Sequence, residues 1–315
     1  MGASHFSGPL FVGGVPIPTV ANPYLPPPRK SWFVNTDADR NGDGTSMDKP
    51  FDTMAEALSA ASTRDHIYWT GDVREELTGS NLVFDLCFIA VAGNHHPDLP
   101  AAGYKTGASC WRPPASPTAA TPLLIVRGRG WKFFGGLFDI PVDAAAIKLE
   151  RNALSTTSEY DASHAAFYGV RFSAGKYAIE DNGGCYNIGI YGCEFNQCTT
   201  TAIVNTSTSV ANPLNWKIIG NLFPSNVSSF GNATHIDTPL NCAHIKYNDF
   251  GTVVSTAAYI DLTGGNGNIV SFNTLSGEYD TSNYISGTGD IWPQNACAVT
   301  TTTAPDGVSI AVPAA

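Results

Sequence analysis

Positive charge is scarce in this chain. Its 315 residues include 17 Lys and Arg against 27 Asp and Glu, a formal net charge of −10. No basic run occurs anywhere. That excludes a nucleic-acid binder, which needs clustered cations to meet phosphates. Charge of either sign is sparse, at 14 % of residues. Leu, Lys and Glu give way to Gly, Asn, Ser and Thr, and long helical patterns are missing. No segment is long and apolar enough to cross a bilayer as a helix. The opening "MGASHFSGPLFVGGVPIPTV" lacks the basic start and unbroken apolar core of a secretory signal. It is not a myristoylation signal either, because Phe6 stands where Ser or Thr is wanted. C-x-x-C is absent. The seven cysteines, Cys87, Cys110, Cys185, Cys193, Cys198, Cys242 and Cys297, are odd in number and irregular in spacing. They read as buried, reduced thiols of a chain made in a cytoplasm, with zinc or disulfide frameworks as the alternatives. The sequons at Asn205, Asn226 and Asn232 read as chance matches in an Asn/Ser/Thr-rich chain.

What is present is a turn-rich, β-rich composition with 43 % hydrophobic residues, ample for a core. Residues 1–30 read as an extended arm ending in "NPYLPPPRK", whose consecutive prolines favour a stiff spacer. A strand "SWFVN" follows, then an acidic loop. Next comes a short helix capped by Thr53 or Asp52, with Met54, Ala57, Leu58 and Ala61 at helical spacing. "DHIYWTG" and "LVFDLCFIAVAG" read as buried strands, and residues 94–120 as loop.

From residue 131 the chain repeats itself. Six segments superpose: "WKFFGGLF", "AAFYGVRF", "IGIYGCEF", "WKIIGNLF", "AHIKYNDF" and "NIVSFNTL". They close on Phe138, Phe172, Phe195, Phe223, Phe250 and Leu275, in steps of 23 to 34 residues. A second apolar column holds Phe133, Phe167, Ile190, Ile218, Ile245 and Val270. The sixth position carries Asn221, Asn248 and Asn273 in succession. A strand–bend–strand unit cannot bury its apolar side alone, but stacked copies can, like over like. Asn at a repeated bend suits a left-handed backbone and allows amide hydrogen bonds along the stack. The longest step holds an excursion, "NALSTTSEYDASH".

These repeats, with their Asn column, resemble the right-handed parallel β-helix of the pectate-lyase-like superfamily. The stretch "WFVNTDADRNGDGTSMDKPFDTMAEALSAA" resembles the first coil of that group, where a strand, a Gly/Asn/Asp turn and a short helix cap the solenoid. The expected fold is all-β: a single-stranded right-handed parallel β-helix over 31–290, an N-terminal arm over 1–30 and a C-terminal tail over 291–315. The superfamily hosts diverse chemistry, so fold does not decide function.

Candidate site residues are few. The acidic loop "NTDADRNGDGTSMDKPF" fits a calcium-loop template at Asp37, Asp39 and Asn41, with Gly42 at the turn and Asp48 last. A calcium ion there would be held by Asp37, Asp39, Asn41 and Asp43; the alternative is a capping turn without a cation. The outward column before each closing Phe reads Leu137, Arg171, Glu194, Leu222, Asp249 and Thr274. Arg171 and Glu194 are placed to pair. Glu194 and Asp249, the candidate catalytic carboxylates, stand two coils apart, roughly 10 Å at the ~4.8 Å strand spacing, slightly beyond the separation of an inverting pair. "NTD" at 35–37 is similar to one tripeptide of polygalacturonase-like enzymes, but its partner motifs are missing. His95, His96, His235, Asp237 and His244 read as structural or surface groups, and "GRGWKFFGG" is no phosphate cradle because no helix follows it.

"HFSGPL" resembles the opening of small bacteriophage virion proteins that associate with the capsid. The resemblance implies a structural rather than enzymatic protein at a virion surface, made in the host cytoplasm. It implies a capsid decoration or head fibre docked on the major capsid or another virion protein through His5, Phe6, Gly8, Leu10 and Phe11. Three-fold self-association is the default for such β-helices. The alternative is a phage tailspike that binds or cuts a bacterial surface glycan. The apolar tail is expected to pair subunits or run along a neighbour.

Overall fold

A computed structural model describes residues 11–12, 15–16, 27–37, 42–79, 82–91, 109–151, 160–207, 212–224, 232–253, 258–279 and 282–300. Each coil visits three faces in turn. Sheet 1 is seven-stranded and runs from Leu124–Val126 to Tyr284–Ile285. Sheets 2 and 3 together make a 17-stranded sheet folded along a bend. The chain leaves Leu124–Val126 for Lys132–Phe134 on sheet 2, then Leu137–Asp139 on sheet 3, and returns to sheet 1 at Ala145–Glu150. All pairings between coils are parallel, so this is the right-handed parallel β-helix that the repeats imply.

The closing column is continuous inside sheet 3. Phe138, Phe172, Phe195, Phe223 and Phe250 stack with ring centroids 5.7, 5.1, 4.8 and 4.6 Å apart. Trp111 extends the column before Phe138, and Leu275 continues it in register with Phe250. On sheet 2, Phe88, Phe133 and Phe167 stack at 5.0 Å and give way to Ile190, Ile218, Ile245 and Val270. Sheet 1 supplies the third column: Leu124, Ile147, Ile179, Ile203, Ile236, Ile260 and Tyr284. Like residues stack over like because each strand adds one rung directly above the last.

The asparagines form a buried ladder. Asn221 donates its backbone N–H and its Nδ2 to Asn248 Oδ1, both at 2.9 Å. Asn248 treats Asn273 in the same way, and Asn273 treats Asn295. Each Nδ2 also donates to a backbone carbonyl, as Asn248 does to Ile218 at 2.9 Å. One expectation is corrected here. The left-handed backbone lies not at the asparagines but one residue earlier, at Gly220 (φ 67), Tyr247 (φ 58) and Phe272 (φ 58). That residue turns the corner, which aims the following Asn side chain inward. A second, shorter ladder joins Asn268 to Asp290.

The solenoid's first coil is closed by α1, Met54–Ala60, a helix begun by Thr53. Thr53 and Glu56 complete a capping box, and the Glu75 carboxylate accepts from Met54 N–H (2.7 Å) and Ala55 N–H (2.9 Å). Met54 and Ala57 plug the end of the core. At the other end, residues 291–300, assigned to the tail by sequence, still belong to the coil. Trp292 is buried, Asn295 ends the ladder, and Ala296–Thr300 pairs with Thr274–Tyr279. Of the cysteines, Cys87, Cys110, Cys185, Cys193 and Cys198 are buried and Cys242 is exposed; none of the seven forms a disulfide. The Asn232 sequon is also internal: its Nδ2 donates to Phe195 O at 2.9 Å.

Candidate functional site

The column that holds Glu194 and Asp249 faces outward along sheet 3 as expected. Arg171 lies directly opposite Glu194, with Nε 3.6 Å from its carboxylate, and Asn196 Nδ2 donates to the same group at 2.6 Å. Leu222 stands between Glu194 and Asp249. The structure therefore brings Arg171 and Glu194 together and leaves Asp249 two rungs away, roughly 10 Å at the ~4.8 Å spacing.

A closer pair escaped the sequence reading. Asp237 and Asp261 stand directly opposite each other on adjacent strands of sheet 1, facing out. One rung separates them, about 5 Å between strands. Burial and the like charge of Asp261 raise the Asp237 carboxyl above the usual range. Asp261 Oδ1 also accepts the Thr263 N–H at 2.8 Å. Val204 and Ile285 flank the pair along the column. At this strand spacing the two carboxylates approach the separation of an acid–nucleophile pair. The signal was present in the sequence: Ile236-Asp237 recurs one coil later as Ile260-Asp261.

A cleft opens beside α1. Its two hollows, about 790 and 520 Å³, share Thr63, Leu82 and Phe84. Arg127 and Arg129 rise from the end of sheet 1 into the smaller one. Their charges are engaged: Arg127 Nε meets Glu150 at 2.7 Å, and Arg129 clasps Asp161. Burial alone would raise Asp161, but hydrogen bonds from Ser163 and Arg129 outweigh it and hold the carboxyl low. Tyr160 and Tyr186 lie beside the guanidinium groups of Arg127 and Arg151, at 4.9 and 4.8 Å. This cluster clamps the corner where the long excursion begins and ends.

The acidic loop is tied to the first coil. Asp43 Oδ1 accepts from Thr45 N–H at 3.0 Å and Thr45 Oγ1 at 2.5 Å, which holds its carboxyl below the usual range. Asp37 Oδ1 faces the Asp72 N–H at 3.4 Å. Gly42 is demanded by packing, since a Cβ there would fall 2.3 Å from Lys49 and Pro50 backbone atoms. Asp39 and Asn41 lie outside the described residues, as do His5, Phe6, Gly8, Leu10 and the His95–His96 pair. Phe11 falls in a two-residue strand paired with Val15–Pro16.

His235 is a core residue. Its Nε2 lies 2.7 Å from Gly251 O and its Nδ1 3.2 Å from Asn232 Nδ2. Burial pushes its pKa down to about 4, so the ring is neutral at pH 7.

No protein-family model matches the chain, and no curated protein does. Solved structures do. A complex of XylC with xylose superposes with a TM-score of 0.50 at 10 % identity, covering 85 % of this chain and 69 % of that one. The shared feature is the fold, the parallel β-helix. A rhamnogalacturonan lyase gives 0.49 at 12 % identity, covering 90 % and 86 %. ORF18 of Geobacillus virus E2 gives 0.41 at 13 % identity, covering 87 % and 60 %.

Proposed function

We propose that this chain is a structural component of a bacteriophage particle, a capsid decoration or head-fibre protein. Its arm grips the major capsid or another virion protein, and its solenoid projects from the surface, in three-fold association. The observation that carries this reading is the polarity of the fold. Residues 27–30 are exposed, and they lead straight into the first, helix-capped coil. Arg29 N–H donates to Arg64 O at 3.0 Å, and Lys30 O accepts the His66 N–H at 2.9 Å. Whatever the arm grips, the remaining coils extend from that end. The stacked columns and buried ladder make those coils stiff, which suits a projecting element.

The arm's "HFSGP" element supplies the link to capsid-associated chains. Gly and Pro interrupt its apolar residues, so it gains most by burial in a partner's groove, at about 25 cal/mol per Å² of apolar area before ordering costs. Deleting residues 2–25 is expected to leave a folded solenoid that no longer co-sediments with particles. Undiminished co-sedimentation would remove the anchor.

A second reading, a glycan-cutting tailspike, is favoured by the Asp237–Asp261 pair alone. Incubation with host surface polysaccharide separates the two. A fall in viscosity that Asp261→Asn abolishes would support the tailspike.

A further inference from the structure

In four successive coils the residue that turns the corner between sheets 2 and 3 is glycine: Gly135, Gly169, Gly192 and Gly220, at φ 65, 59, 58 and 67. Space does not explain three of them, because a Cβ on Gly169, Gly192 or Gly220 would meet no atom within 4 Å. Glycine answers the backbone conformation instead. The next two coils place Tyr247 and Phe272 there, both at φ 58, a conformation that bulky L residues avoid. Neither side chain enters the core: Tyr247 is 60 % and Phe272 43 % exposed. Their rings stack, 5.2 Å apart at 16°. Leu222, just past the same bend in the preceding coil, is 42 % exposed. Exposed apolar side chains thus run through three coils at one convex bend. Strain held at an exposed position points to a use.

We propose that this bend is the face through which copies of the chain meet around a three-fold axis. The inference rests on the three-fold association proposed above and names its contact surface. A protein interface has an apolar centre depleted of charge and a polar rim. Leu222, Tyr247 and Phe272 form such a centre, and Lys246 and Asp249 border it on either side of Tyr247. Among the described residues, neither of these charges makes an ion pair within the chain. The two sheets that flank the bend carry opposite charge. From Lys132 to Ser271, the outward positions of sheet 2 carry Lys132, Lys217 and Lys246 and no carboxylate. From Leu137 to Thr274, those of sheet 3 carry Asp139, Glu194 and Asp249 against one cation, Arg171. A ligand of one sign is attracted by one sheet and repelled by the other, whereas a second copy presents both. When the bend points at a three-fold axis parallel to the solenoid, sheet 2 of one subunit faces sheet 3 of the next. Rotation moves nothing along that axis, so each coil meets the same coil of its neighbour. Lys246 then faces Asp249 of the partner subunit, and the Tyr247 rings gather at the axis. Burial there offsets the backbone strain.

The test is the mass of the full-length chain, read by light scattering during size-exclusion chromatography. The interface predicts about three times the 33.3 kDa of one chain. Tyr247→Gly with Phe272→Gly restores the residue of the earlier coils and relieves the strain, so the fold is kept. It is expected to weaken association about tenfold or more with the far-UV circular dichroism unchanged. Lys246→Glu sets a carboxylate against Asp249 of the partner subunit and should dissociate the assembly. Lys246→Glu with Asp249→Lys should restore it. A monomeric wild type would overturn this interface and the three-fold association together, leaving the arm to be judged by co-sedimentation. A three-fold wild type that the double glycine variant leaves assembled, or a Lys246→Glu defect that Asp249→Lys does not rescue, would overturn the interface alone. A double glycine variant that keeps its mass but no longer co-sediments with particles would assign the bend to a particle protein, and the proposal would fall.

Discussion

The earlier and later coils turn the same corner by different means. At the bend between sheets 2 and 3, the inward position holds Gly136, Val170 and Cys193 in the earlier coils and Asn221, Asn248, Asn273 and Asn295 in the later ones. The neighbouring column on sheet 2 changes one coil earlier, from Phe133 and Phe167 to Ile190, and stays aliphatic through Ile218, Ile245 and Val270. Where rings fill the corner, the inward residue must be small; a Cβ on Gly136 would meet the Trp69 ring at 2.6 Å. Where the column narrows to aliphatic side chains, a buried amide fits and bonds the rungs together. One half is closed by apolar packing, the other by hydrogen bonds. Both are continuous, because whichever group is chosen is repeated by the next coil.

This contrast predicts unequal sensitivities. The largest effect belongs to the aromatic half. Phe172→Ala, which opens a gap between Phe138 and Phe195, should cost about 3–5 kcal/mol in chemical denaturation. In the amide half, Asn248→Ala strands the donors of Asn221 and the Ile218 carbonyl, and should cost about 2–3 kcal/mol. A loss under ~0.5 kcal/mol would mean that the ladder follows from the coil rather than holding it. The later coils also bury His235 against the edges of Phe223 and Phe250. Its folded pKa of about 4 lies below the ordinary 6.5, so the unfolded chain takes up the proton first. Stability from this group is therefore complete above pH 6.5 and drains away between pH 6.5 and 4, at up to about 1.4 kcal/mol per pH unit. Melting temperature against pH reads this, and His235→Gln should flatten the curve. The smallest effect concerns Asp237, whose carboxyl is raised, so that its charged form weakens the fold. Asp237→Asn should raise the melting temperature at pH 7, with the gain vanishing below the unfolded value of 3.8.

Much of this was legible in the sequence. The unit spanning sheets 2 and 3 is short and nearly invariant in length, so its Phe and Asn columns align by eye. Sheet 1 was not seen, although Ala146-Ile147, Ala178-Ile179 and Ala202-Ile203 mark it. The connections from sheet 1 to sheet 2 differ in length from coil to coil, which shifts those strands against any fixed step. The Asp237–Asp261 pair was lost for that reason. The left-handed turn was credited to Asn for its usual tolerance, whereas Gly220 and then Tyr247 and Phe272 adopt it. Glu194 with Arg171 was readable because both sit inside the aligned unit.

The proposed role rests on which end of the solenoid meets the particle. Cryo-electron microscopy of assembled particles, with the chain located in the density, tests this most directly. The account predicts α1 and the first coil at the shell, with Asn295 and the last coil pointing to solvent. Density with the last coil against the shell, or with the solenoid attached along one side, would contradict it.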